Sequence, residues 1–153
     1  MKKSQIFNLL TFALGAIGIA LWLCLPGMKY TVSLFGVSQS TTESGARMIF
    51  GIEGWDFAYL LFIGFLCAAF GTVYALICML SKKAKKLPIV SIAMFAVAAV
   101  FCFLTTKCCI INGKFGLPDM YIGSYSLGIG AIIGGVLFAC AGVTSALPMF
   151  IKD

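Results

Sequence analysis

Residues Phe57–Leu80 read FAYLLFIGFLCAAFGTVYALICML, without one Asp, Glu, Lys or Arg. A helix rises about 1.5 Å per residue, so roughly 20 apolar residues cross the ~30 Å hydrocarbon layer of a bilayer. Three further runs share this character: Ile6–Leu25 (IFNLLTFALGAIGIALWLCL), Leu87–Thr106 (LPIVSIAMFAVAAVFCFLTT) and Leu127–Phe150 (LGIGAIIGGVLFACAGVTSALPMF). Only helices and closed barrels satisfy their backbone groups in lipid, and barrel strands alternate apolar with polar residues. These runs are continuous. They predict an all-α integral membrane protein, a four-transmembrane-helix bundle with spans at 6–25, 57–80, 87–106 and 127–150. Outer loops then fall at 26–56 and 107–126, and a cytoplasmic loop at 81–86.

The composition agrees. Hydrophobic residues make up 61% of the chain, charged ones only 10%, and mean hydropathy is +1.08. Soluble chains average about a quarter charged, so a water-exposed globule is excluded. Spans and connections fill residues 1–153 as a single membrane domain and leave no room for a separate soluble one.

The net charge of +6 is placed by topology and does not suggest nucleic acid. Lys2, Lys3, Lys82, Lys83, Lys85, Lys86 and Lys152 flank the span ends on one side, where basic residues favour the cytoplasm. Both termini are therefore expected inside a plasma or cytoplasmic membrane, with Lys82, Lys83, Lys85 and Lys86 against anionic headgroups. The first run also opens like a signal peptide. Its apolar region is about twice the usual length and no A-x-A site follows, so it reads as a span.

The outer loops carry strand signals. Lys29–Val37 (KYTVSLFGV) is β-branched, aromatic and mostly alternating, Gln39–Gly45 (QSTTESG) reads as a polar turn, and Ala46–Ile52 (ARMIFGI) reads as a second extended segment. In the second loop, Asn112-Gly113 between Cys109-Ile110-Ile111 and Lys114-Phe115 predicts a tight type I′ hairpin. Two such hairpins side by side would form one small antiparallel sheet over the helices. A faint repeat aligns Ile63–Leu76 with Gly134–Leu147, matching Gly64 to Gly135 and Gly71 to Gly142.

Chemistry is sparse. No charge interrupts a span and no His occurs anywhere, which argues against proton relays and general-base catalysis. No catalytic set, cofactor motif or metal-ligand spacing can be assembled, so a non-enzymatic protein is expected. Of the seven cysteines, Cys67, Cys78 and Cys140 lie in spans, while Cys24, Cys108 and Cys109 fall near the outer surface. That location permits a disulfide from Cys24 to Cys108 or Cys109. No C-x-x-C pair supports thiol exchange, so a thiol redox protein ranks as the third reading.

Small residues stack at i, i+4 in the fourth span, through Gly130 and Gly134 and through Gly135 and Ala139, with Gly142 beyond, and Gly64, Ala68 and Gly71 form a shorter version in the second. Shorter versions at Gly15 and Gly18 mark the first. Such seams let helix backbones approach in lipid. Trp22, Tyr30, Trp55, Tyr59, Tyr121 and Tyr125 suggest an aromatic belt at the outer interface. Together these features predict a tetraspan structural or accessory subunit of a membrane assembly, partnered by the lipid bilayer and by itself or another membrane protein. The alternative is an oligomeric channel or small-solute transporter. Its selectivity would come from Thr72, Tyr74, Thr105, Thr106, Thr144 and Ser145, and Glu53, Asp56 and Asp119 would form its vestibule.

Overall fold

A computed structural model describes residues 3–81, 88–116 and 122–150. The chain is mostly helical, and three helices are long and apolar enough to cross a membrane: α1 (Lys3–Cys24), α3 (Tyr59–Leu80) and α6 (Ile129–Phe150). Each has 22 residues, about 33 Å of rise. Short α2 (Gly45–Phe50) precedes α3. The remaining expected span divides. Helix α4 (Pro88–Phe103) has 16 residues, and after a turn at Leu104 one further turn, α5 (Thr105–Cys108), follows. The bond from Leu104 N to Val100 O (3.0 Å) and that from Cys108 N to Leu104 O (2.9 Å) carry the helical path through this bend.

The four long helices form a ring in which α1 packs against α3 and α6, and α4 packs against the same two. Phe95 of α4 fills the centre, with no exposed surface. Three glycines from the other three helices make its socket. A Cβ on Gly15 would sit 2.9 Å from the tip of the Phe95 ring, one on Gly71 3.2 Å from it, and one on Gly142 3.7 Å from Phe95 Cβ. Phe138 of α6 stacks beside it at a centroid distance of 6.4 Å, and Trp22 of α1 meets Phe138 edge-on at 6.0 Å. Trp22 is wholly buried, so it is a core residue and not a member of the interfacial belt; Trp55 is also buried. Tyr59 and Tyr125 remain exposed, and Tyr121 lies outside the described residues.

A small sheet covers one end of this ring. Its strands β1 (Pro26–Leu34), β2 (Val37–Ser44) and β5 (Ile122–Leu127) run antiparallel in the order β2-β1-β5. Residues from the 26–56 and 107–126 stretches thus share one sheet, through pairs such as Tyr30↔Thr41 and Tyr30↔Tyr125. The strands differ from those read in the sequence. Gln39–Ser44, expected as a turn, lies in β2, and the chain reverses at Phe35-Gly36, both with positive φ (52° and 82°). Polar cross-strand pairs hold this hairpin: Thr31 Oγ1 lies 3.3 Å from Ser40 Oγ, and Ser33 Oγ 3.1 Å from Ser38 Oγ. Serine and threonine suit an exposed ladder as well as a turn, which is why composition alone misassigned the segment.

Ala46–Ile52 differs too, since most of it is helical and not extended. Ser44 caps α2 by accepting from Arg47 N at 3.4 Å, and Gly51 ends it at φ 68°. Met48 and Ile49 of that helix are buried, and burial outweighs their strand preference. The Asn112-Gly113 hairpin forms as read, with φ of 49° and 71°, between β3 (Ile110–Ile111) and β4 (Lys114–Phe115). It stands as its own two-stranded sheet. The strand that joins β1 is β5, whose first residues follow the stretch outside the described region.

Truncating Phe95 to Ala should cost about 3–5 kcal/mol, because the glycine socket would become a cavity. Gly64→Ala should also destabilise, by about 1–3 kcal/mol, since its Cβ would meet Phe101 Cβ at 2.6 Å. Gly142→Ala, with only an ordinary contact at 3.7 Å, should be nearly neutral. Denaturation of the detergent-solubilised protein followed by circular dichroism would rank the three.

Candidate functional site

Two regions gather polar chemistry, one at each end of the ring. At the end holding the α1 N-terminus and the α6 C-terminus, a cavity of about 10 Å³ is lined by Asn8 and Thr11 of α1, Tyr74 and Cys78 of α3, Ser91 of α4 and Ser145 of α6. Asn8, Thr11, Ser91 and Ser145 are all buried. Thr11 Oγ1 donates to Phe7 O at 2.9 Å and lies 2.9 Å from Thr144 Oγ1, tying α1 to α6. Ser145 Oγ donates to Gly142 O at 2.7 Å. Ser91 Oγ, by contrast, has no hydrogen-bond partner among the described residues. Sequence reading missed Asn8, Thr11 and Ser91, because a single uncharged polar residue barely lowers the hydropathy of a span.

The hydroxyls suggested as pore-lining face the interior of this bundle. Thr72 Oγ1 donates to Ala68 O (2.7 Å), Thr105 Oγ1 to Cys102 O (2.7 Å) and Thr144 Oγ1 to Ala141 O (3.0 Å). Bonds of this kind satisfy a hydroxyl within its own helix. Thr106 is buried as well, and Tyr74 is half-buried beside the cavity.

At the other end an ion triad organises the cap. Arg47 of α2 reaches Glu43 of β2 at 3.3 Å and Glu53 at 2.6 Å. The Glu43 side chain is only 11% exposed and is partnered by Arg47 and Tyr30. Burial pushes the Tyr30 hydroxyl above its ordinary value, and the charge of Glu43 and its hydrogen bond add to the shift. Asp56 instead holds the Asn112-Gly113 hairpin. Its Oδ2 accepts from Gly113 N at 2.8 Å, and its own N–H bonds Ile110 O at 3.0 Å. Glu53 and Asp56, suggested as vestibule acids, are thereby engaged within the cap, and Asp119 lies outside the described residues.

All seven cysteines are free thiols, so no disulfide joins Cys24 to Cys108 or Cys109. Cys24 is exposed while Cys108 and Cys109 are buried. Burial pushes the Cys109 thiol up to about 11, and its Sγ lies 3.5 Å from Thr106 O. A thiol held protonated is a poor nucleophile.

The small-residue seams resolve into particular contacts. Gly64 faces Phe101, Gly71 faces Phe95, Gly134 faces Trp22 and Cys102, Gly135 faces the Phe103 ring, and Gly130 faces Leu25. Ala68 is fully buried. Ala139 departs from this arrangement: it is exposed, on an apolar groove of about 410 Å³ between α4 and α6 that Ala96, Ala99, Gly142 and Ala146 also line. Lys82, Lys83, Lys85 and Lys86 lie outside the described residues. Among the described residues no three of His, Cys, Asp and Glu gather as a metal-binding group.

Searches against protein-family models, curated proteins and solved structures each returned no match. Function has therefore to be inferred from the geometry of the chain itself.

The cap can be probed at two of its residues. Arg47→Ala would strand the buried Glu43 carboxylate and should cost about 1–3 kcal/mol, with Glu43→Gln in the same background recovering part of that loss. Cys109 makes stability depend on pH. The folded thiol keeps its proton to about 11, whereas the unfolded one releases it near 9.0. Its contribution is thus complete below pH 9 and fades as pH rises from there toward 11. Thermal melts over that range should show a steeper decline for the natural protein than for Cys109→Ala.

Proposed function

We propose that this chain is a four-span, multi-pass protein of a cytoplasmic membrane that works by contact, as a non-enzymatic structural or accessory subunit. In this reading α4 with α5 makes the fourth crossing, since Pro88 to Cys108 covers about 30 Å of helical path. An even number of crossings puts both termini on one side, and the lysines near the α1 start and the α3–α4 connection favour the inside. The polar sheet then lies outside.

One observation carries the contact reading. Phe35 stands fully exposed (103%) at the tip of an otherwise Ser- and Thr-rich hairpin, with Val37 exposed beside it. Its φ of 52° is a left-handed value that suits Asn or Gly and strains a bulky side chain. Phenylalanine here costs both conformational energy and apolar exposure, and nothing among the described residues offsets either. Strained residues of this kind cluster at binding sites. The lipid-facing groove at Ala96, Ala99, Ala139 and Gly142 supports a second contact face, because small residues allow close helix approach. An inter-protomer pore draws less support, since the span hydroxyls are spent on carbonyls inside the bundle.

Phe35→Asn separates contact from folding. Asn-Gly is the preferred pair for this turn, so the thermal midpoint should hold or rise. Crosslinking in cells from a photoreactive residue at position 37 should fall about tenfold if Phe35 anchors a contact. Unchanged crosslinking in the variant would reject the proposal. So would natural protein that forms no crosslink and stays monomeric in mild detergent.

A further inference from the structure

The cavity at the α1 N-terminal end draws side chains from all four long helices, and its hydrogen bonding does not balance. A hydroxyl carries one proton and two lone pairs. Ser145 commits its proton to Gly142 O, and Thr11 is within bonding distance of Phe7 O and Thr144 Oγ1. Both oxygens therefore retain accepting capacity. Ser91 is the reverse case. Only 3% exposed, its hydroxyl has no partner among the described residues for either proton or lone pairs. Asn8, also buried, adds a carboxamide with two N–H donors and one acceptor. A buried hydroxyl left without a partner is expensive.

The space is about 10 Å³, room for the centre of one water molecule and too little for an amino acid, sugar or nucleotide. Buried waters settle where they find two to four polar partners, and this cavity offers donors and acceptors together. We propose that it is a binding site for a single structural water. The water accepts from Ser91 Oγ and the Asn8 amide, and donates to Ser145 Oγ and Thr11 Oγ1. It thereby ties α4 to α1 and α6 at the one level where direct bonding fails Ser91. A dehydrated monovalent cation suits the site less well. It would need lone pairs from every ligand, no carboxylate among the described residues lines the cavity, and the Ser91 proton would still lack an acceptor.

The test uses the full isotope-labelled chain in lipid nanodiscs and reads magnetisation transfer from water to backbone amides. A long-lived water should give transfer at Ser91 and Ser145. Ser91→Val, which fills the cavity with carbon, should reduce the Ser145 signal roughly fivefold or more. If that variant does not fold, Ser91→Ala should still weaken the signal by removing one of the water's partners. Absence of transfer at Ser91 and Ser145, with neighbouring core amides resolved, would overturn the site. Thermal midpoints in equal concentrations of sodium, potassium and choline chloride should coincide. A rise of about 5 °C or more specific to one cation would replace water by that cation and overturn the proposal.

Discussion

The bundle packs around one side chain and the glycines that face it. Phe95 reaches from α4 to the backbones of α1 and α3 because Gly15 and Gly71 carry no Cβ there, and it meets Gly142 of α6 at ordinary contact distance. In lipid, burying an apolar ring gains little over leaving it among acyl chains, so helix association depends on close packing and dispersion. A single large ring in a glycine socket concentrates that packing at the bundle's centre. The neighbouring Phe138 and Trp22 extend it toward the cap, and Phe101 and Phe103 repeat the motif against Gly64 and Gly135.

From this centre the two ends diverge in chemistry. Toward the cap, polarity is charged and paired: Arg47 holds Glu43 and Glu53, and Asp56 holds the Asn112-Gly113 turn. These bonds connect pieces that are individually too small to stand alone, since a lone hairpin is marginal in water. Around the small cavity toward the other end the lining is uncharged, and Thr11 and Ser145 donate to carbonyls of their own helices. Neutral groups suit that depth because a charge would carry a far larger desolvation cost.

Much of this was readable in the residues. Helices α1, α3 and α6 lie within a few residues of their predicted runs, since continuous apolar stretches have few alternatives in lipid. The Asn112-Gly113 turn was legible because few pairs adopt positive φ at both positions. Other signals misled. Gln39–Ser44 has turn composition but forms a strand, and Ala46–Ile52 has strand composition but is largely helix, because long-range pairing with β1 and burial beneath the cap decided them. Trp22 sits at the right height for an interfacial ring yet points into the core. Of the candidate site, the hydroxyls of Thr72, Thr144 and Ser145 could be named, but not that they face inward, nor that Ser91 lacks a partner.

The amino-acid order by itself determined the membrane-length helices and the glycine seams, for both depend on local properties: apolar run length and side-chain size. Which seam meets which ring was decided only in three dimensions, because the partners of Phe95 lie on three separate helices. The same holds for the joining of β1 to β5, and for the gathering of Asn8, Thr11, Ser91 and Ser145 around one cavity. Those arrangements come from the ring order of the helices, and no local stretch of sequence encodes it.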